Sequence, residues 1–196
     1  TYPVMYEFDQ YDRMSAMYTL RDSSITLASF ADFVSNISSF DKTTWLFDEA
    51  TGLLTNKVYA DGKGPVYTYS ADGKLATRTW ARGIATTYSW DLLGQMTNID
   101  YSDSTPDVGF VLDRMGRQVT ISDGTGVRAF TYNDALQLAA ETNVFGLISR
   151  QYDSLGRSSG FSILDPINPV NPVYSVSYGF DSIGRFSSLS SSVQSA

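Results

Sequence analysis

One six-residue pattern recurs along the chain, and its regular return constrains the fold more than any other feature. The segment 152–157 reads Tyr-Asp-Ser-Leu-Gly-Arg, an aromatic residue, an acid, two variable residues, a glycine and a cation. The full set of copies, counting the weaker ones, is 8–13, 47–53, 69–74, 90–95, 112–117, 132–137, 152–157 and 180–185. A pattern that returns at a fixed step is typical of repeat proteins, in which each copy is one structural unit packed on its neighbours.

The period of the pattern defines the organisation of the chain. Its glycine, or the residue in its place, stands at 52, 73, 94, 116, 136 and 156, a step of 20 to 22 residues. The step lengthens to 28 before Gly184, where a segment rich in proline and asparagine intervenes, and to 40 between Asp12 and Gly52. We predict one repeat array of about eight units over 1–196, with a non-repeat segment at 23–40 and an inserted loop at 164–173.

Each copy predicts a β-hairpin turn. An aspartate at the first position of a type I turn can accept hydrogen bonds from backbone N–H groups ahead of it, and a glycine at the fourth position tolerates positive φ. Alternating apolar and polar residues stand on both sides, as in two paired strands. The predicted turn residues are Asp48, Gly52, Gly73, Asp91, Gly94, Asp113, Gly116, Asp153, Gly156, Asp181 and Gly184.

An aromatic residue precedes most of the turns. These repeat aromatics are Tyr69, Trp90, Tyr132, Tyr152 and Phe180. A second ring often stands two residues earlier, as Tyr178 does before Phe180, and alternate residues of a strand lie on one face. The rings should therefore form a stripe that packs hairpin against hairpin. We predict an all-β fold of tandem antiparallel hairpins in a coiled strip.

The non-repeat segment has a different spacing. Apolar residues follow one another at steps of three and four, and Ser24 is a candidate N-cap. The residues in this spacing are Leu27, Phe30, Phe33, Val34 and Ile37. The pattern predicts a short amphipathic helix near 25–38, with a pair of irregular strands as the alternative.

Composition excludes several classes of function. The chain has no cysteine and no histidine, which rules out disulfides, thiolate nucleophiles, Cys/His zinc sites and imidazole catalysis. A net charge of −7, from 14 Lys+Arg against 21 Asp+Glu, argues against a nucleic-acid surface. No apolar run is long enough to predict a membrane span. The first ten residues already have the pattern of a domain interior, so we expect a piece of something larger.

At 88–95, 110–117, 151–157 and 178–185 the chain resembles the RHS, or YD, repeat. The resemblance implies β-hairpins that coil into a hollow shell of a bacterial secreted or cell-surface protein. Its partner would be the remainder of its own polypeptide or an enclosed effector, such as a toxin. Toxin-type members of the family end in a DPxGL-like cleavage signature, whereas Asp165-Pro166 is followed here by Ile167, so no autoprotease role is carried over to Asp165.

Several alternatives accompany this interpretation. The turn carboxylates could be the acid/base pair of a glycosidase, Arg117, Arg157 and Arg185 could bind an anion, and Trp45, Trp80 and Trp90 could stack on sugars. Because the acid recurs at one position of a turn, we expect a structural role, no enzymatic activity and no cofactor. The alternative function is a carbohydrate-binding or adhesive surface module. An array of hairpins also has exposed end strands, which predicts end-to-end self-association.

Overall fold

A computed structural model of the chain describes residues 3–21, 25, 29–165 and 172–193. It contains one short α-helix, a 3₁₀ turn at Ile37–Ser39 and sixteen strands. The elements are β1 (Val4–Phe8), β2 (Met14–Leu20), α1 (Phe30–Ser35), β3 (Phe40–Phe47), β4 (Leu54–Val58), β5 (Val66–Tyr69), β6 (Leu75–Thr79), β7 (Ala85–Trp90), β8 (Met96–Tyr101), β9 (Val108–Leu112), β10 (Gln118–Asp123), β11 (Gly126–Tyr132), β12 (Leu138–Asn143), β13 (Gly146–Tyr152), β14 (Ser158–Leu164), β15 (Pro172–Phe180) and β16 (Phe186–Val193).

The strands follow the order of the chain from β1 to β16, and the pairs are antiparallel. The all-β class and the tandem hairpins predicted from the repeat are therefore confirmed. In such an order, successive connections alternate between the two ends of the strands. The chain divides into two compact units, the first at Thr1–Tyr88 with Tyr101–Ser104 and the second at Ser89–Asp100 with Thr105–Ala196.

In the first unit a small apolar core lies where α1 covers the first three strands. Phe33 of α1 contacts Tyr18 of β2 and Phe40 of β3, with ring centroids 5.4 and 4.9 Å apart. Ala16 and Leu20 of β2 complete this core. Phe40 and Trp45 are an odd number of residues apart in β3 and so lie on opposite faces. The helix therefore covers the face opposite the Trp45 ring.

The predicted helix is present but shorter than its apolar spacing suggests. Ser29 caps α1, accepting a hydrogen bond from the Asp32 backbone N–H while the Asp32 carboxylate accepts from the Ser29 N–H. The predicted start near 25 is wrong for α1, and the candidate cap Ser24 lies outside the described residues. Phe33 is the only buried residue among the described apolar positions of the predicted helix. A helix of six residues has fewer than two turns, so few of its side chains can face the sheet. No helix in the described ranges is long and apolar enough to span a membrane.

In the second unit the strands from β13 to β16 have two distinct faces. The register places Ile163 opposite Tyr174, and Tyr174 opposite Val193, on one apolar face. The other face carries serines, and the Ser175 and Ser192 hydroxyls lie 2.6 Å apart. Within the described residues of this unit, only Ile121 and Val176 are buried apolar side chains, because no helix there covers the sheet.

The connections at the other end of the strands differ from the repeat turns. Asn143 pairs with Gly146, which leaves a two-residue turn, and Asp123 pairs with Gly126 in the same way. Within the predicted inserted loop at 164–173, Leu164 ends β14 and Pro172 begins β15. Residues 166–171 of that loop lie outside the described residues.

Candidate functional site: a clasp between successive hairpins

The turn at Asp153 shows how the repeated residues are used locally. The Gly156 N–H donates to the Asp153 carbonyl at 2.9 Å, which closes the turn, and the Asp153 N–H donates to the Arg157 carbonyl at 2.9 Å. One carboxylate oxygen, Oδ1, accepts from the backbone N–H groups of Leu155 and Arg157, each at 2.9 Å. The acid thus satisfies two backbone donors that the short turn leaves without a carbonyl partner.

The same bonds recur in the other copies. Asp113 and Asp181 each accept from the N–H groups two and four residues ahead, and so does Asp91. In the copy with the extra residue, the Gly52 N–H reaches back to the Asp48 carbonyl at 2.9 Å. At 69–74, Ser70 stands in place of the acid and the Gly73 N–H donates to its carbonyl at 2.9 Å. Turn closure therefore tolerates changes at the acid position.

The position of the turn glycine adopts the left-handed conformation in every copy. The glycines there have φ between 72° and 84°. They are Gly52, Gly73, Gly94, Gly116, Gly156 and Gly184. Two copies hold a residue with a side chain in this conformation, Asp12 at φ 58° and Leu136 at φ 65°. The backbone of these two turns is strained, since a Cβ disfavours the left-handed region.

The cation after the glycine pairs with the acid of its own turn. Arg157 Nε donates to Asp153 Oδ2 at 2.6 Å, and the corresponding distances are 2.7 Å for Arg117 and Asp113 and 2.8 Å for Arg185 and Asp181. The copy at 8–13 has the same pair, Arg13 and Asp9, at 2.7 Å. Both carboxylate oxygens are therefore engaged, which leaves these acids poorly suited to move protons for a substrate.

The same contacts alter the acidity of the turn carboxylates. The hydrogen bond from the Arg157 backbone N–H is the main cause that lowers the pKa of Asp153, and the Arg157 guanidinium adds to it. For Asp181 the main cause of a lowered pKa is the hydrogen bond from the Arg185 side chain. Both groups stay ionised to a lower pH than an isolated aspartate.

Three of the arginines also contact the next hairpin, an interaction that was not predicted from the sequence. The guanidinium of Arg157 lies over the ring of Phe180, 4.1 Å from its centroid, and Arg117 lies at the same distance over Tyr132. In the first unit Arg13 lies 4.3 Å from the centroid of the Phe47 ring. The aromatic in each case belongs to the repeat motif of the following hairpin. This cation–π contact holds neighbouring hairpins together.

A second bond runs from the same position to the next turn. Arg13 Nη1 donates to the Gly52 carbonyl at 3.2 Å, and Arg117 Nη1 donates to the Leu136 carbonyl at 3.4 Å. Where the chain has glutamine, Gln137 Nε2 donates to the Gly156 carbonyl at 2.7 Å. In these three copies the side chain after the left-handed turn residue therefore donates a hydrogen bond to the carbonyl of the left-handed residue in the following turn.

The hydroxyl groups of the motif tyrosines donate hydrogen bonds to the preceding hairpin. The Tyr152 hydroxyl donates to the Leu138 carbonyl at 2.9 Å, and the Tyr132 hydroxyl donates to the Gln118 carbonyl at 2.8 Å. Tyr69 donates in the same way to the Leu54 carbonyl at 2.8 Å. We use the name inter-hairpin clasp for a set of three groups. They are the cation or glutamine of one turn, the motif aromatic of the next hairpin, and the turn carbonyl of that next hairpin.

The sequence held one signal of the clasp. The position after the turn glycine carries a long polar side chain in seven of the eight copies: Arg13, Lys74, Gln95, Arg117, Gln137, Arg157 and Arg185. A side chain needed only for the turn would not have to be long. The carbonyl acceptors have no sequence signature, because every residue has a carbonyl.

The tryptophans proposed as sugar platforms already contact other side chains. The guanidinium of Arg78 lies 3.4 Å from the ring of Trp80, whose Nε1 donates to Thr86 Oγ1 at 3.3 Å. Lys57 Nζ lies 5.0 Å from the centroid of the Trp45 ring. The repeat aromatic Trp90 is partly buried in β7. In the described part of the chain, acidic residues form no cluster able to hold a metal ion.

No protein-family model and no curated protein matches this sequence. Its fold is similar to that of a chain in the crystal structure of TcdB2-TccC3 without the hypervariable C-terminal region, with a TM-score of 0.54 over 93% of this chain at 15% identity. The structures of TcdB2-TccC3 and of TcdB2-TccC3-Cdc42 match over 91% of this chain, with TM-scores of 0.53 and 0.51, each at 15% identity. This chain spans 12% of the length of each of those chains.

Proposed function

We propose that this chain is a structural repeat segment of an RHS-type secreted or cell-surface bacterial protein, and that it forms part of a β-scaffold that encloses or displays another polypeptide. Its role is mechanical and not catalytic. The observation that carries the proposal is the inter-hairpin clasp. The polar groups of the repeated motif bond to the same turn or to a neighbouring hairpin, which is what a wall built of hairpins requires.

The fold supports the same interpretation. At 15% identity the TcdB2-TccC3 chains share the arrangement of strands with this chain over 91–93% of its length. They are about eight times longer, so the segment corresponds to a small part of such an assembly. The resemblance of the motif to the YD repeat rests on other observations, the period and the residue types, and it implies a similar architecture.

The two faces of β13 to β16 fit a wall with two different sides. The serine face suits water, whereas the apolar face with Ile163, Tyr174 and Val193 suits contact with another polypeptide. Val193 is 73% exposed in the described structure. Apolar side chains in such positions are stabilised when another chain covers them.

The proposal can be tested by limited proteolysis of the complete natural polypeptide that carries this segment. We expect sequence outside the repeat array to resist digestion while the array is intact. The double variant Arg117→Ser, Arg157→Ser should open the wall and make that sequence cleavable at a lower protease concentration. Arg114→Ser is the matched control, because Arg114 is an exposed arginine of the same turn and none of the clasp contacts described above involves it.

Three results would contradict the proposal. In the first, non-repeat sequence is digested as fast as an unfolded chain while the array remains folded. In the second, a glycan array shows specific binding that Trp80→Ala or Trp90→Ala removes, which would favour the carbohydrate-binding alternative. Hydrolysis of a glycoside by the purified chain, lost in Asp153→Asn, would instead indicate an enzyme.

A further inference from the structure

One pair of neighbouring repeat turns lacks both of the large side chains that form the inter-hairpin clasp elsewhere. After its turn glycine, the copy at 90–95 has Gln95, where four other copies have arginine. The next copy, at 112–117, begins with Leu112, where the seven other copies have an aromatic residue. Both residues belong to the second unit. The clasp at this place therefore has neither an arginine nor a motif aromatic.

Gln95 is directed differently from the glutamine of the later copy. Its Nε2 lies 3.4 Å from Asp91 Oδ2, in its own turn, whereas Gln137 Nε2 donates to the Gly156 carbonyl of the next turn at 2.7 Å. The Gln95 side chain nevertheless stays close to the next turn, since a Cβ added to Gly116 would lie 2.7 Å from Gln95 Oε1. Gln95 and Gly116 thus stand on either side of the space that a motif ring would enter.

An open groove lies at this place. Its volume is about 350 Å³, within the range of small-molecule sites, roughly 300–1,000 Å³. The side chains of Met96, Phe110 and Leu112 give it apolar walls, and its other lining residues are Gln95, Gly116 and Gln118. Apolar walls with a few polar groups are typical of a site for a small, mostly apolar group.

The tyrosine copies show which group fits between two such turns. Each motif tyrosine donates its hydroxyl hydrogen to the carbonyl of the residue two positions after the turn glycine, or its substitute, of the preceding hairpin. These pairs are Tyr69 with Leu54, Tyr132 with Gln118, and Tyr152 with Leu138, at 2.8, 2.8 and 2.9 Å. In the groove the corresponding carbonyl belongs to Met96, and Leu112 has no hydroxyl to donate to it.

We propose that this groove binds the p-hydroxyphenyl side chain of a tyrosine presented by another polypeptide. The ring lies against Met96, Phe110 and Leu112, and its hydroxyl donates to the Met96 carbonyl. The incoming side chain thereby supplies the ring and the hydrogen bond that Tyr69, Tyr132 and Tyr152 supply within the chain. This inference goes beyond the proposed function, which assigns no binding site.

The experiment is an NMR titration of the purified chain with N-acetyl-tyrosinamide, observed through carbon-13-labelled methionine methyl groups. The Met96 methyl signal should shift in a saturable way, whereas that of Met17, in β2 of the first unit, should not. N-acetyl-phenylalaninamide should bind about fivefold more weakly, because it cannot donate to the Met96 carbonyl. Titration with p-cresol tests whether the phenol group binds without a peptide backbone.

Substitution of Leu112 tests the location. Leu112→Tyr fills the groove from within, so binding should weaken at least tenfold and the midpoint of thermal unfolding should rise by about 2–4 °C. Leu112→Ile is the matched control, because it adds no ring and should bind within about twofold of the wild-type chain. Circular dichroism of both variants checks that the fold is kept.

A second set of variants tests whether the missing ring creates the site. Gln137 already stands before Tyr152, so Tyr152→Leu gives that pair of turns the same glutamine and leucine as the groove. Leu138→Met places a reporter methyl group at the position that corresponds to Met96. The methyl signal introduced by Leu138→Met should shift with N-acetyl-tyrosinamide in the double variant and stay unchanged in the single variant.

Four outcomes would overturn the inference. No saturable shift of the Met96 signal shows that no such site exists, and unchanged binding in Leu112→Tyr shows that the probe binds elsewhere. Equal affinity for the tyrosine and phenylalanine amides shows that the Met96 carbonyl is not the acceptor. Binding of p-cresol without binding of the tyrosine amide indicates a free phenol as the ligand. None of these results bears on protection of an enclosed polypeptide, so this inference and the proposed function can fail separately.

Discussion

The guanidinium carbon of Arg157 lies 4.1 Å from the centroid of the Phe180 ring in the next hairpin. The same arginine bonds to Asp153 across its own turn at 2.6 Å. One side chain therefore holds a local turn closed and fastens it to its neighbour. The repeated arginine therefore contributes both to the local turn and to the packing between hairpins.

Replacing Arg157 should cost more stability than replacing Arg185. Arg157→Ala removes the ring contact and the ion pair and should lower the free energy of unfolding by about 1–2 kcal/mol. Arg185→Ala removes only an exposed ion pair and should cost less than about 0.5 kcal/mol. Urea denaturation of both variants, at a concentration where the chain is monomeric, checks the difference. Equal losses would show that the ring contact contributes nothing.

Substitutions at the left-handed turn position should change the stability of the chain in opposite directions at two sites. Gly156→Val places a β-branched residue at φ 77° and should destabilise the chain by about 1–3 kcal/mol. Leu136→Gly should relieve strain at φ 65° and stabilise it by about 1 kcal/mol, since Leu136 is half exposed and little burial is lost. Thermal and urea unfolding measure both changes. A Gly156→Val variant that unfolds like the wild-type chain would refute the turn assignment.

The hydrogen bond from a motif tyrosine to the preceding hairpin can be removed by deleting one atom, the hydroxyl oxygen. Tyr152→Phe deletes the bond to the Leu138 carbonyl and should cost about 1 kcal/mol, because that bond is partly buried. Tyr132→Phe deletes the corresponding exposed bond and should cost less. Chemical denaturation of the two variants tests the comparison. A larger loss for Tyr132→Phe would mean that burial does not set the strength of these bonds.

The turn acids should make the array sensitive to acid. The pKa of Asp153 is lowered in the folded chain, so its ionised form stabilises the fold above the pKa of the unfolded chain, about 3.9. That contribution is lost as the pH falls from about 4 toward the folded pKa. Unfolding free energies of wild-type and Asp153→Asn chains should therefore converge as the pH is lowered below 4. A constant difference from pH 7 to pH 3 would contradict the assignment.

Each turn could be predicted from the sequence because its determinants are local. Asp153 and Gly156 lie three residues apart, and the same backbone bonds form whatever surrounds them. The prediction of the helix was less accurate, since its apolar spacing extended from Leu27 to Ile37 but α1 covers only Phe30–Ser35. Ser29 and Asp32 form a capping box that starts α1 later, a signal present in the sequence. Secretion, the enclosed partner and the absence of catalysis remain predictions.

The sequence by itself determined that the chain is a series of β-hairpins, because period, turn chemistry and alternation within a strand act over a few residues. Only the tertiary structure decided what the arginines do. Arg157 and Phe180 are separated by a full hairpin, and whether they meet depends on how neighbouring strands pair and on which face each side chain lies. The same holds for α1, whose Phe33 packs on Tyr18 and Phe40 of two different strands. Contacts across strands are set by register, which no residue specifies alone.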